Sequence, residues 1–319
     1  MVKKRDILKT IGFWSAIVIL VFLILYPFIW MVSLSLRYEI DIFSPSIIPP
    51  KITTSEYSQL LGFSKRVGTE SSLEELRSLL KDLPKEQAEA IMKKYKGAPK
   101  IFPFLRYFRN SLILAGISSL ISLLVAVFGA YSFSRLRYPG RGFMRKSILI
   151  VYLFGGIVLA VPLYQMVASI GLLSTRTGCM FSLLLIYVMQ TLPVSLYMLG
   201  NYFRSIPYSI EEAAIVDGAT RFGVITKIII PLSLPVLVTV YIYAFMIGWN
   251  EYMFASIFLR GLPKLYTLPF GLNELFYTEH SVWGRMMAAS ILTAVPVVAM
   301  FMVFERYLTS GLTIGGVKE

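Results

Sequence analysis

The chain has 319 residues, of which 56% are hydrophobic and only 15% charged, and it carries a formal net charge of +13. That composition excludes a water-soluble globule, so the excess of basic residues bears on the sidedness of membrane loops and not on nucleic acid. A single cysteine, Cys179, and a single histidine, His280, exclude an intramolecular disulfide and a zinc site built from His and Cys.

Crossing about 30 Å of hydrocarbon takes about 20 helical residues at 1.5 Å each. Six uncharged windows meet that length: 10–36, 110–134, 147–175, 177–203, 228–250 and 286–304. The expected fold class is therefore all-α, a polytopic bundle of six transmembrane helices. The first window is too long and too aromatic for a cleaved secretory signal and is expected to stay as a helix. Residues 37–109 form the longest hydrophilic stretch and are expected to make an extracytoplasmic insertion. Within it Ile47-Ile48-Pro49-Pro50 favours extended backbone. Ser72-Leu73-Glu74-Glu75 resembles a capping box and Pro84 opens a second helix, which predicts a helical hairpin. The domains expected are 1–36, an N-terminal tail and first helix; 37–109, the insertion; 110–308, a core of five helices including a loop over 204–231; and 309–319, a C-terminal tail.

Of the 31 basic residues, fourteen fall in segments that share a side with the N-terminus, and four fall in the two short loops opposite: Arg176, Arg260, Lys264 and Arg285. The thirteen in 37–109 are discounted because long loops translocate largely regardless of charge. The charge distribution predicts a multi-pass protein of the cell membrane with both termini in the cytoplasm.

Pro162, Pro193, Pro235 and Pro296 fall inside the later windows and predict broken backbone ladders at membrane depth. Gln165, Gln190, Asn250 and Glu251 are polar groups at or near membrane depth, costly against lipid, and suit hydrogen bonding between helices or, as candidates, the lining of a translocation path. The loop from Arg260 to Val282 carries Tyr266, Phe270, Phe276 and Tyr277. Aromatic faces there suit contact with an extracytoplasmic partner or anchoring at the membrane interface.

The segment Pro207-Tyr208-Ser209-Ile210-Glu211-Glu212-Ala213-Ala214-Ile215-Val216-Asp217-Gly218 predicts a short helix on the cytoplasmic side. Ser209 and Glu212 have the spacing of a capping box, Ala213 and Ala214 leave a flat patch, and Gly218 suits a left-handed stop. Such a helix is suited to docking, or to lying on the lipid surface.

Glu212-Ala213-Ala214, three residues, Gly218, nine residues, then Ile228, Ile230 and Pro231 resembles the EAA loop of the membrane subunits of ATP-binding-cassette importers, with Ile230 where leucine is usual. Trp249-Asn250-Glu251-Tyr252, Phe254-Ala255 and the tail from Gly311 to Lys318 look like the maltose-type sugar permeases. The likeness runs from about residue 108 to the end. It implies that Glu212, Ala213, Ala214, Asp217 and Gly218 form a coupling helix that fits a cleft on an ATPase subunit. It also implies that Gly311, Thr313, Gly315 and Gly316 belong to a tail entering between the ATPases. The partners implied are a second homologous permease, two ATPase subunits, an extracytoplasmic solute-binding protein and the lipid bilayer, with a carbohydrate, an oligosaccharide, as cargo. No G-x-x-x-x-G-K-[ST] loop occurs in the chain, so it is expected to hold no cofactor and not to be an enzyme, with ATP and Mg bound by the ATPase partners. A secondary transporter of a small polar solute is the competing class. It would ordinarily place charged residues within the membrane, and the six windows contain no Asp, Glu, Lys or Arg.

Overall fold

The computed structural model describes residues 4–38, 44–63, 102–153, 156–276 and 283–313. Every regular element among them is helical. In chain order they are α1 (Lys4–Ser35), α2 (Ser55–Leu60), α3 (Phe104–Arg135), α4 (Arg141–Leu153), α5 (Gly156–Ser169), α6 (Arg176–Ser205), α7 (Tyr208–Val216), α8 (Arg221–Leu232), α9 (Leu234–Trp249), α10 (Met253–Phe258), α11 (Leu268–Phe276) and α12 (Trp283–Thr313). Four of these, α1, α3, α6 and α12, are long and apolar enough to cross a membrane, and α8 with α9 makes a fifth candidate bent by 81°.

The helices fall into two compact units, Met1–Leu105 with Glu274–Ala294, and Arg106–Asn273 with Val295–Glu319. In the first unit α1 is apolar around nearly its whole circumference and almost none of it is packed against the chain, as expected of a helix facing lipid. Its C-terminal end is anchored. The buried Arg37 donates to the carbonyl and hydroxyl of Ser44 at 2.8 and 2.9 Å, reaches the carbonyl of Ser46, and lies 5.2 Å from the Trp30 ring. Five N–H donors on one planar group can hold several carbonyls at once, so one arginine fixes the start of the chain beyond α1. Glu56 and Gln59 on α2 accept from Arg285 on α12 at 2.8 and 2.6 Å.

In the second unit α3, α6, α8 and α9 share a core formed by Ala126, Ala130, Leu199, Phe203, Ile229 and Val240 among others. Helices α3 and α9 approach where Gly248 faces Ala115; small residues permit such contact where lipid gives no hydrophobic drive. The other end of α3 is fastened to the 263–270 segment. Asn110 donates to the carbonyls of Lys264 and Tyr266 at 3.2 and 3.0 Å, and Ser111 accepts from the Leu268 N–H at 2.7 Å.

Several expectations change. Helix α3 begins at Phe104, six residues before the predicted window, because Pro103 sets the entry and the following turn is closed by packing that a count of charges does not see. The 147–175 window is divided between α4, which already begins at Arg141, and α5, with 154 and 155 outside the described residues. Backbone helix continues through Pro162, Pro193 and Pro296. The marked bend lies at Ser233, between Pro231 and Pro235, after a π-turn over Ile225–Ile229. Two prolines within five residues remove two amide donors there. The predicted hairpin at 72–96 lies outside the described residues. Helix α12 runs to Thr313, so Gly311 and Thr313 of the expected tail are helical, and Gly315 and Gly316 lie outside the described residues.

Candidate functional site

Helix α7 leaves α6 at Ile206 and begins at Tyr208 after Pro207. The expected capping box is not formed. Pro207 occupies the cap position with φ −58° and no side-chain cap, so the helix starts earlier than a serine cap would place it and Ser209 sits inside the first turn. The stop is as expected. Gly218 has φ +87°, its N–H donates to Ile215 O at 3.0 Å, and the Ala219 N–H donates to Ala214 O at 2.9 Å. This is a Schellman arrangement, which needs a left-handed residue at that position. Thr220 then caps α8 by accepting from the Gly223 N–H at 3.1 Å.

Glu212, Ala213, Asp217 and Gly218 are exposed, with Ala214 half-buried. They share the segment with Tyr208, Ile215, Phe222 and Val216, the last 87% exposed. A β-branched apolar side chain left almost fully bare beside small residues and carboxylates suits a protein surface better than water.

The charge that holds α7 in place is Glu211, buried where Glu212 is exposed. Its carboxylate lies 2.6 Å from Arg135 Nε and accepts from Tyr131 OH at 3.1 Å. Arg135 Nη2 donates to Ile206 O at 2.6 Å, its guanidinium lies 4.2 Å from the Tyr208 ring, and Tyr208 OH donates to Ser134 O at 3.1 Å. Arg135 ends α3 and Glu211 is in the first turn of α7, so each charge also suits the helix end it occupies. In the sequence Arg135 is one of the fourteen basic residues on the side of the N-terminus and Glu211 a first-turn carboxylate of the 207–218 segment, and neither is a candidate site residue. The available signal was a basic residue closing an apolar helix and a carboxylate in the first turn of the next exposed one.

The other candidates do not converge. Gln190 lines a cavity of about 340 Å³ with Tyr152, Met189, Pro193, Tyr243 and Phe254. Gln165 is exposed on α5, and Asn250, also exposed, donates to Met246 O at 2.9 Å. Glu251 is 8% exposed and accepts from the N–H groups of Phe254 and Ala255 at 2.7 and 3.1 Å. Its carboxylate caps the first turn of α10. Tyr266 and Phe270 are buried, their rings 4.1 Å apart and Tyr266 also against Tyr107 at 5.8 Å, so neither ring is on the surface as expected. The loop packs onto α3, and Tyr266 and Phe270 are core. The side chain of Phe276 and all of Tyr277 lie outside the described residues.

Residues 118–313 match the family described as "Binding-protein-dependent transport system inner membrane component". The chain belongs to that family. The permease is 38% identical to the inner membrane ABC transporter permease protein YcjP of Escherichia coli K12 over the full length of both chains. It is 31% identical to the maltose/maltodextrin permease MalG of Salmonella typhimurium, covering 92% of this chain and 91% of that one. It is 29% identical to the trehalose/maltose permease MalG of Thermococcus litoralis over 99% of each. Its fold is that of a chain in the crystal structure of a bacterial ABC transporter involved in import of the acidic polysaccharide alginate, with TM-score 0.71, 22% identity, and coverage of 96% of this permease and 99% of that chain. The permease is thus a multi-pass membrane component of an ABC importer, of a family that transports and does not catalyse.

Proposed function

We propose that this permease forms, with a second homologous permease, the translocation path of an ATP-driven importer of a carbohydrate, an oligosaccharide, delivered by an extracytoplasmic binding protein. The observation that carries the coupling part is the exposed α7 surface of Glu212, Ala213, Asp217, Gly218 and Val216, held by the left-handed stop. On it an ATPase subunit docks. ATP and Mg belong to the two ATPases, and the tail with Gly311, Thr313, Gly315 and Gly316 reaches between them. Six crossings follow if α4 with α5 and α8 with α9 each make one. The maltose and trehalose permeases among the relatives support the sugar, and the cavity beside Gln190, with Tyr152 and Tyr243, has the mixed aromatic and amide lining that suits one.

Reconstitution with the ATPase, second permease and binding protein from the same host tests this. ATP-dependent oligosaccharide uptake into proteoliposomes is expected, and uptake driven by an ion gradient without ATP would sink the proposal in favour of a secondary transporter.

In this reading both termini face the cytoplasm. In a chain with Cys179 replaced by alanine, Thr54→Cys, exposed before α2, should react with an impermeant thiol reagent in spheroplasts. Ser209→Cys, exposed on α7, should react only after permeabilisation. The reverse pattern would invert the topology.

A further inference from the structure

We propose that Arg135 is a positioning residue for coupling: through Glu211 it makes α7 and the end of α3 a single body, so that movement of a docked ATPase reaches the bundle through α3. This rests on the proposed docking of an ATPase on α7.

The geometry singles out this contact. Between Ser205 and Arg221 the chain departs from α6, forms a helix of nine residues and returns. A helix that short has little stability of its own, and its outer face is exposed, so its orientation depends on what grips its inner face. Arg135 grips three points at once: the Glu211 carboxylate at 2.6 Å, the Ile206 carbonyl at 2.6 Å and the Tyr208 ring at 4.2 Å. Tyr131, one turn back on α3, adds a bond to the same carboxylate at 3.1 Å. Ile206 and Tyr208 flank the entry of α7 and Glu211 is one turn into it, so the three points fix its rotation as well as its position.

Stability alone does not account for the choice of residues. Buried ion pairs are often matched or bettered by apolar residues of similar volume. Here Arg135 Nε and Nη1 and Glu211 Oε1 are all buried with no hydrogen-bond partner among the described residues, so the pair meets as charges while the Nη2 bond to Ile206 O sets the orientation, and the unmade bonds add to the cost of burying the charge. What the guanidinium supplies and a leucine does not is direction. Packed interfaces switch between discrete arrangements, so a helix free to roll on its seat would absorb the ATPase stroke without passing it on.

The test uses the whole reconstituted transporter and reads two quantities for each variant: ATPase retained on the purified permease, and substrate moved per ATP hydrolysed. Arg135→Gln and Glu211→Gln should keep their ATPase, since neither side chain is on the docking face, and lower the transport-to-hydrolysis ratio about tenfold or more. Arg135→Lys, which keeps the charge and loses the fork, should recover part of the ratio. Should the single variants fail to assemble, the double variant Arg135→Met with Glu211→Leu decides, because it removes the buried charges and keeps the volume. It should assemble, hold its ATPase and remain uncoupled. Wild-type stoichiometry in the assembled double variant, or an unchanged ratio in the single variants, would overturn the positioning role and leave the pair as packing. Failure of the unmodified permease to hold any ATPase would instead overturn the docking reading itself.

Discussion

Gly218→Val should leave the permease in the membrane and strip it of its ATPase. The residue sits at φ +87°, where a β-branched side chain is a conformational outlier and even an ordinary one costs about 1–2 kcal/mol. A Cβ at Gly218 would meet nothing within 4 Å, so the penalty is in the backbone and not in a clash. The chain relieves it by giving up the Schellman bonds from Gly218 and Ala219, which frays α7 where Asp217 and Val216 present their surface. Ala213→Glu approaches the same face differently, adding volume and charge with the backbone untouched. Both variants should insert normally, since no membrane-crossing helix is altered, and each should cut ATPase co-purification at least tenfold, a loss of about 1.4 kcal/mol. ATPase retained at the normal level in both would mean that α7 is not the docking element.

Gly178→Ala should have the largest effect on folding. Gly178 lies in the first turn of α6, where its N–H is accepted by Thr175 Oγ1 at 3.1 Å as the helix cap. A Cβ added there would stand 1.9 Å from the carbonyl oxygen of Leu172, in the short 3-10 turn that joins α5 to α6. Backbone cannot rotate away as a side chain can, so the turn and the cap must separate. Overpacking costs about 1–3 kcal/mol or more and loss of the cap about 0.5–2 kcal/mol. The measurable outcome is a marked fall in detergent-solubilised monodisperse protein and in its melting temperature. Gly200→Ala, later in the same helix and with nothing within 4 Å of its Cβ, is the control, and should be neutral or slightly stabilising because alanine is the better helix former. Equal behaviour of the two variants would remove the argument from the α5–α6 turn.

The uncharged windows were legible because a helix facing lipid needs nothing else: α1, α3, α6 and α12 follow from length and apolarity alone. Gly218 was legible because only its kind of residue adopts the required φ cheaply. Neither rule reports what a residue touches. Glu251 closes an apolar window and is a path candidate by that position; its carboxylate also caps α10 two residues on, a local contact that spacing does not distinguish from exposure. Tyr266 and Phe270 sit in a Pro- and Gly-containing loop and were assigned to the surface; Asn110 and Ser111, more than 150 residues away in sequence, bind the backbone of that loop to α3. Arg135 and Glu211 are 76 positions apart, and their pairing is a tertiary fact with no periodicity to announce it.

The bend at Ser233 has a consequence for the surrounding lipid. With α8 bent by 81° from it, α9 by itself supplies 16 residues, about 24 Å of the crossing the two share; α5 by itself supplies 14 residues, about 21 Å of the crossing it shares with α4. Both fall short of a hydrocarbon slab of about 30 Å, while the 30 residues of α6 exceed it. Where the short helices meet lipid, the acyl chains must compress or another protein chain must cover the helix ends. Bilayer thickness thereby becomes a variable acting on this permease, and the membrane composition of its host a physical input to how it works.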